Sequence, residues 1–263
     1  MIVLDGVAAY ASAVSHWFEA AADHLGPAYL RYSFTKGTVQ EVDFLVEALE
    51  LEPGERVLDV GCGPGRHAYE LARRGLVVHG VDIAARFVDL ATEHAPAGAT
   101  FERLDARELP FDGEFAAAIS LCQGAFGLLG GPGDAGGTAA ADPEADGGVL
   151  AGMARALRPG GRMAVSAFSA YFQVRFLEDS DSFDADAGVN HERTSLRDEE
   201  GREAPFDLWT SCFTPRELRL LARAAGLRPR HIWSVTPGAY RAAPPSTNTP
   251  ELLLVAERPG PVA

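Results

Sequence analysis

Residues 57–65 read VLDVGCGPG, an apolar run that closes on an acidic residue and then carries three glycines at alternate positions. No other stretch constrains the fold as tightly. Val57, Leu58 and Val60 suit a strand covered on both faces, while Gly61, Gly63 and Gly65 allow the backbone to turn tightly beneath a ligand. Downstream, Arg66 to Arg74 is compatible with a helix and stops at Gly75, a C-capping residue. The unit is strand, loop, helix, and such a unit cradles a nucleoside-bearing cofactor.

The glycine spacing separates two cofactor classes. A dinucleotide fingerprint requires GxGxxG, and its third glycine falls where this chain has Arg66, which disfavours a nicotinamide oxidoreductase. The pattern is GxGxG. Preceded by Asp59, it resembles motif I of the class I S-adenosylmethionine-dependent methyltransferases. The following segments, VVHGVD at 77–82, RLDARELPF at 103–111 and LRPGGRMAVSAF at 157–168, are similar to that family's next elements in the same order.

The resemblance implies a Rossmann-like α/β fold, with helices on both faces of a seven-stranded, mostly parallel sheet in the order 3-2-1-4-5-7-6, the last inserted strand antiparallel. S-adenosyl-L-methionine is the implied cofactor. Asp59, Gly61, Gly63 and Gly65 would shape the pocket for its methionine part. Asp82 and Ile83 would hold the ribose and edge the adenine, Asp105 and Ala106 would face the adenine amino group, and Leu121 to Gln123 would end the fourth strand beneath the sulfonium. At that point many amine and DNA methyltransferases carry an asparagine- or aspartate-proline-proline sequence, whereas this chain has Leu121-Cys122-Gln123-Gly124. Base methylation of nucleic acid is therefore disfavoured.

Charge agrees. A formal net charge of −14 over 263 residues, with no basic run, argues against a nucleic-acid acceptor and favours a small molecule. No apolar stretch of about 18 residues is present, and Asp5 stands where a signal peptide would be basic, so the expectation is a cytosolic protein without a membrane partner. Cys62, Cys122 and Cys212 are too few and too far apart for a disulfide framework or a zinc site, and no metal is expected. One lysine against 22 arginines suggests a GC-rich bacterial genome.

Apolar residues at helical spacing from Gly6 to Leu25, including Tyr10, Trp17 and Phe18, predict an N-terminal helix that packs on the core or closes as a lid. The aromatic segment 26–38 follows, with Tyr32, Thr35 and Lys36 as candidates for the methionine end of the cofactor, and Thr38–Leu51 predicts a second helix. Residues 1–50 are thus expected as a helical lid and 51–263 as the cofactor-binding core. Core strands are expected near 56–60, 77–81, 99–103, 115–121, 162–168, 231–236 and 251–257, with helices at 66–74, 84–94, 148–156 and 215–225. Residues 130–148, poor in large apolar side chains, read as a flexible loop, and 183–212 as an inserted hairpin. Thr214-Pro215-Arg216-Glu217 is a strong helix start.

A sulfonium methyl is already activated, so transfer depends chiefly on holding the acceptor's lone pair in line behind it. Should a base be used, His16, His67 and His191 are candidates, His191 because the resemblance implies that the hairpin lies over the acceptor pocket. Trp17, Trp209 and Tyr240 could line the acceptor pocket or the core. The expected function is methyl transfer to the oxygen or nitrogen of a small molecule, in bacterial secondary metabolism. The alternative is a domain that binds the cofactor without methylating. Oligomeric state is left open.

Overall fold

The computed structural model describes residues 16–129, 131 and 145–260. The core of the chain is a sheet built from β1 (Arg56–Val60), β2 (Val77–Asp82), β3 (Ala99–Arg103), β4 (Phe115–Ser120), β5 (Leu157–Ser169), β9 (Arg228–Val235) and β10 (Glu251–Glu257). Their spatial order is β3-β2-β1-β4-β5-β10-β9. The first five are mutually parallel, and β10 runs antiparallel to both β5 and β9. In core-strand numbering this is 3-2-1-4-5-7-6, and it puts the order reversal between β1 and β4, where ligands bind at the carboxyl ends of the strands.

The strands are apolar on both faces because helices cover both. On one face, Val149, Leu150 and Met153 of α5 (Ala145–Ala156) and Leu218 and Ala222 of α7 (Pro215–Ala224) pack with Leu58, Val60, Leu252 and Leu254. On the other, Val42, Leu45 and Leu49 of α2 (Thr38–Leu49) and Ala68 and Leu71 of α3 (Arg66–Arg73) pack with Val57, Ile119, Leu253 and Val255. Alternate residues of one strand therefore belong to opposite clusters, as the two-residue repeat requires. α4 (Ala85–Glu93) follows β2 and buries Phe87, Val88 and Ala91. Thr214 caps α7 as expected, its hydroxyl accepting from Glu217 N at 3.1 Å while Glu217 Oε2 accepts from Thr214 N at 3.2 Å.

Three features differ from the sequence reading. α2 is buried against the sheet, so the covering segment ends near residue 35 rather than 50; its apolar stripe of four residues is a core-facing pattern. The inserted region is larger than one hairpin: β7 (Val189–Arg197) and β8 (Glu203–Phe213) form it, β6 (Asp181–Asp184) adds to β7, and the end of β8 joins β5 in parallel at Phe168 and Ser169. α6 (Ala170–Arg175), too short to show a helical period, links β5 to this extension. Most of the expected loop at 130–148, and Tyr10, lie outside the described residues, although α5 already begins at Ala145.

α1 (Trp17–Leu25) crosses the carboxyl end of the sheet. His16 is its N-cap, with Nδ1 accepting from Phe18 N at 3.2 Å and Glu19 Oε1 accepting from His16 N at 3.0 Å. His16 Nε2 and Trp17 Nε1 both lie 3.1 Å from the carbonyl oxygen of Leu128, and Glu19 pairs with Arg103 of β3 at 2.7 Å. The helix is thus tied to the loop after β4 and to the far edge of the sheet.

Candidate active site

Beneath α1 lie two chambers that share Phe18, Gly61, Asp82, Gly124 and Leu128. The smaller, about 420 Å³, is also lined by Ile83, Asp105 and Ala106. The larger, an open cleft of about 820 Å³, is walled by aromatic residues of α1 and the turns after it, and by Leu196, Leu208 and Thr210 of the added strands.

The glycine loop shapes the wall between them. Gly61 has φ +71°, and a Cβ there would lie 2.0 Å from the carbonyl carbon of Gly124, so β1 and β4 can close on each other only with glycine at this position. Gly63 has φ +54° but opens toward the larger chamber, where a Cβ would lie 3.8 Å from the ring of Tyr29. Gly65 is the N-cap of α3 and lines neither chamber.

Asp82 ends β2 and faces both chambers. Its Oδ2 accepts from Gly63 N at 2.8 Å and its Oδ1 from Ala84 N at 2.9 Å, so the carboxylate holds the glycine loop against the start of α4. Burial pushes its pKa up to about 6, and these backbone donors hold it from going higher. Asp59 is 1% exposed, its pKa raised by burial to about 7 against the opposing pull of Arg66, and its Oδ2 has no partner. Asp105 lies in the smaller chamber, bound to Arg107 by its side chain and by the Arg107 N–H at 2.9 Å. Burial would raise its carboxyl, but these contacts outweigh it and hold the pKa low.

A polar cluster underlies the loop. Glu41, fully buried on α2, accepts from Arg66 at 2.7 Å, from His67 Nε2 at 2.8 Å and from Gly238 N at 2.7 Å. Burial opposes its charge, yet the His67 and Arg66 contacts win and pull its pKa down to about 2. His67 is itself lowered to about 4 by burial and so is neutral, which removes it as an acceptor-facing base. Arg66 also donates to Cys122 Sγ at 2.9 Å, linking the cluster to the larger chamber. Sequence reasoning missed Glu41. The only trace is its place on the buried side of α2, where an acid has no reason to be unless a cation meets it.

Cys122 and Gln123 both adopt left-handed backbone at φ +51° and +52°, two consecutive non-glycine residues in a conformation costing on the order of 1 kcal/mol or more each. Cys122 N donates to Ser166 Oγ at 2.7 Å, which helps to hold the turn. Both side chains line the larger chamber, whereas Leu121 points into the core.

Of the remaining candidates, Tyr32 lines the larger chamber. Thr35 does not, since its hydroxyl donates within its own turn to Leu30 O and Tyr32 O. Lys36 is exposed and donates to Leu30 O. His16 lines the smaller chamber with both ring nitrogens engaged, and burial lowers its pKa, so it serves as a cap and not as a free base. His191 needs reassignment. It stacks on Trp209 at 4.8 Å and bonds Asp207 at 2.7 Å, and strand alternation puts all three on the face opposite Leu208 and Thr210. Tyr240 is buried in the core. Among the described residues, no group of three or more His, Cys, Asp or Glu is placed to hold a metal ion.

Residues 57–133 match the model of a methyltransferase domain family. The structure resembles the CcbJ methyltransferase of Streptomyces caelestis, with a TM-score of 0.72 and 20% identity over 91% of this chain and 98% of that one. It also resembles CalS10 with S-adenosylmethionine bound, an amino pentose methyltransferase from Micromonospora echinaspora, with a TM-score of 0.60 and 22% identity over 95% and 99% of the two chains. The fold is that of a class I S-adenosylmethionine-dependent methyltransferase. Curated relatives include methyltransferase GfsG of Streptomyces halstedii, 30% identical over 46% of this chain and 41% of that protein. Demethylmenaquinone methyltransferase of Beutenbergia cavernae is 37% identical over 47% and 45%. The chain thus spans less than half the length of these two relatives.

The chambers of this methyltransferase fold fit S-adenosylmethionine. Asp82 presents a carboxylate where the chambers meet and Gly63 leaves the loop open to the cleft, whereas Asp59, buried with one oxygen unpartnered, lines neither chamber. A carboxylate at that join suits the hydroxyl donors of such a ligand.

Proposed function

We propose that this protein transfers the methyl group of S-adenosylmethionine to an oxygen or nitrogen of a small-molecule acceptor. The observation that carries the reading is the join between the chambers at Gly61, Asp82 and Gly124: one chamber offers the polar edges an adenosine needs, and the other continues into an aromatic cleft. When bound, the cofactor supplies an activated methyl. The chain's part is to place the acceptor in line and keep water out.

Asp82 would accept the ribose hydroxyls, Ile83 would edge the adenine, Asp105 and Ala106 would face its amino group, and Gly63 would border the methionine end with Asp59 buried behind the loop. α1 walls the cleft on one side, with Trp17, Phe18, Ala21 and Leu25 lining it. The relatives' names, which cover a quinone and an amino sugar, support a small acceptor, and the net charge of −14 opposes a polyanionic one. With one lysine against 22 arginines, a GC-rich bacterium and its secondary metabolism are the setting we propose. No helix among the described residues is long and apolar enough to cross a membrane.

The test is a turnover assay with S-adenosylmethionine and a panel of aromatic and sugar amines and alcohols, followed by release of S-adenosylhomocysteine. Acceptor-dependent release supports the proposal. A protein that binds the cofactor yet releases none with any acceptor would instead be a binding module.

A further inference from the structure

α6 and its exit carry an apolar surface that the fold leaves uncovered. Among the described residues eight large apolar side chains are exposed, and four of them, Tyr171, Val174, Phe176 and Leu177, fall within 171–177, each between 44% and 57% exposed. Four half-exposed side chains of this size present on the order of 400 Å², the area at which an apolar patch marks an interaction site. Tyr171 and Val174, three residues apart, share one side of the helix, and Phe176 caps its end, its N–H donating to Phe172 O at 3.0 Å. None of the four lines either chamber, so the proposed cofactor and acceptor do not cover them.

Charge says what kind of partner fits. From 171 to 186 a single cation, Arg175, stands against five acids, Glu178, Asp179, Asp181, Asp184 and Asp186. Arg175 is turned back onto the patch, its guanidinium 5.4 Å from the ring centre of Phe176 and donating to Thr247 Oγ1 at 3.2 Å. The cations of the neighbouring strands are engaged elsewhere, His191 and Arg193 with Asp207, Arg197 with Glu203 and Arg202 with Asp198, and among the described residues none of the five acids is held in an ion pair. On β7, burial raises the carboxyl of Glu192, and the charges of Asp181 and Glu178 raise it further against a hydrogen bond from Thr194, so these acids crowd one another. A second copy docked face to face would set one acidic rim against another, and a nucleic acid or an anionic bilayer would meet the same repulsion.

We propose that this face docks a partner protein through a segment that presents apolar anchors flanked by lysine or arginine, the anchors packing on Tyr171, Val174, Phe176 and Leu177 and the cations meeting the acids of 178–186. The partner sits beside the cleft, since α6 begins two residues after Phe168, which lines it. Docking there is independent of the proposed methyl transfer.

The test follows the fluorescence anisotropy of a labelled amphipathic helical peptide of leucine and lysine, and of its counterpart with glutamate for lysine, each titrated with the full chain. The wild type binds the lysine peptide at least tenfold more tightly than the glutamate peptide. Val174→Ser with Phe176→Ser weakens that binding at least tenfold, and Glu178→Lys with Asp179→Lys reverses the preference between the peptides. Glu199→Lys with Glu200→Lys, which removes the same charge at the exposed turn between β7 and β8, changes the affinity less than twofold and so separates docking from general attraction to an acidic chain. An unchanged melting temperature shows that each variant is folded. The proposal is overturned if the lysine peptide does not bind, if the two peptides bind alike, if the serine variant keeps full affinity, or if the turn variant loses as much as the rim variant. Sedimentation that finds a wild-type dimer dissolved by the serine pair gives the face to a second copy, and saturable binding to phosphatidylglycerol vesicles gives it to a membrane; either result also overturns the proposal.

Discussion

Glu41→Gln tests the cluster beneath the glycine loop. Glutamine keeps the shape but removes the charge that faces Arg66, whose guanidinium side chain is only 8% exposed. Breaking a buried pair by removing one partner costs about 3–5 kcal/mol, because the remaining charge is left uncompensated. A second route agrees. A carboxyl whose pKa falls to about 2 on folding contributes on the order of 3 kcal/mol at neutral pH. Loss of about 3 kcal/mol should lower the melting temperature by roughly 6–12 °C for a domain of this size. The sign in pH follows from the lowered pKa. Glu41's contribution is complete above the ordinary carboxylate range and is lost as pH falls through about 2, so the gap between wild type and variant is constant from pH 6 to 9 and narrows below pH 4.5. Urea unfolding of both proteins across that range measures it. A variant within 1 kcal/mol of wild type at pH 7.5 would refute the claim that Glu41 holds Arg66 in place.

Other predictions concern the cradle itself. Asp82→Ala removes the acceptor of Gly63 N and Ala84 N as well as the ribose contact, so it should lose about 2 kcal/mol of stability in urea and at least tenfold in cofactor affinity by calorimetry. Because burial raises the Asp82 pKa to about 6, its protonated form is favoured in the folded chain: its contribution to stability is present at low pH and fades as pH rises through about 6, whereas cofactor affinity, which needs the carboxylate, should decline below about pH 6. Gly61→Ala should abolish cofactor binding and lower the melting temperature, since the new methyl would meet the Gly124 carbonyl carbon at 2.0 Å; Gly63→Ala should keep the fold at a cost of about 1 kcal/mol of backbone strain. His191→Ala should leave cofactor affinity unchanged, and a tenfold loss would show that its outward placement is misleading.

The strand–loop–helix at 57–73 and the position of Asp82 were legible because each rests on local signals: an apolar run, glycines at fixed offsets, an acid at a strand end; the strand order and the place of Asp105 were implied only by the family resemblance. The reach of the lid was not. Val42, Leu45 and Leu49 give α2 a stripe that reads alike for a lid and for a core helix, and only the partner surface decides. His191 failed for a related reason: its residue type suited the chemistry, but strand parity sets the face, and parity is known only once the register with Trp209 is fixed. The strained pair Cys122–Gln123 left no mark beyond an unusual sequence at the end of β4. Their left-handed backbone accompanies the close approach of Gly61 and Gly124, two segments 63 residues apart in the chain.

The central claim is that the joined chambers under α1 bind S-adenosylmethionine and not a nicotinamide dinucleotide. Calorimetric titration of the wild-type chain with each ligand tests it directly. The account predicts one-to-one binding of S-adenosylmethionine and no heat from NAD beyond dilution, whereas saturable binding of NAD, or silence with both, would contradict it.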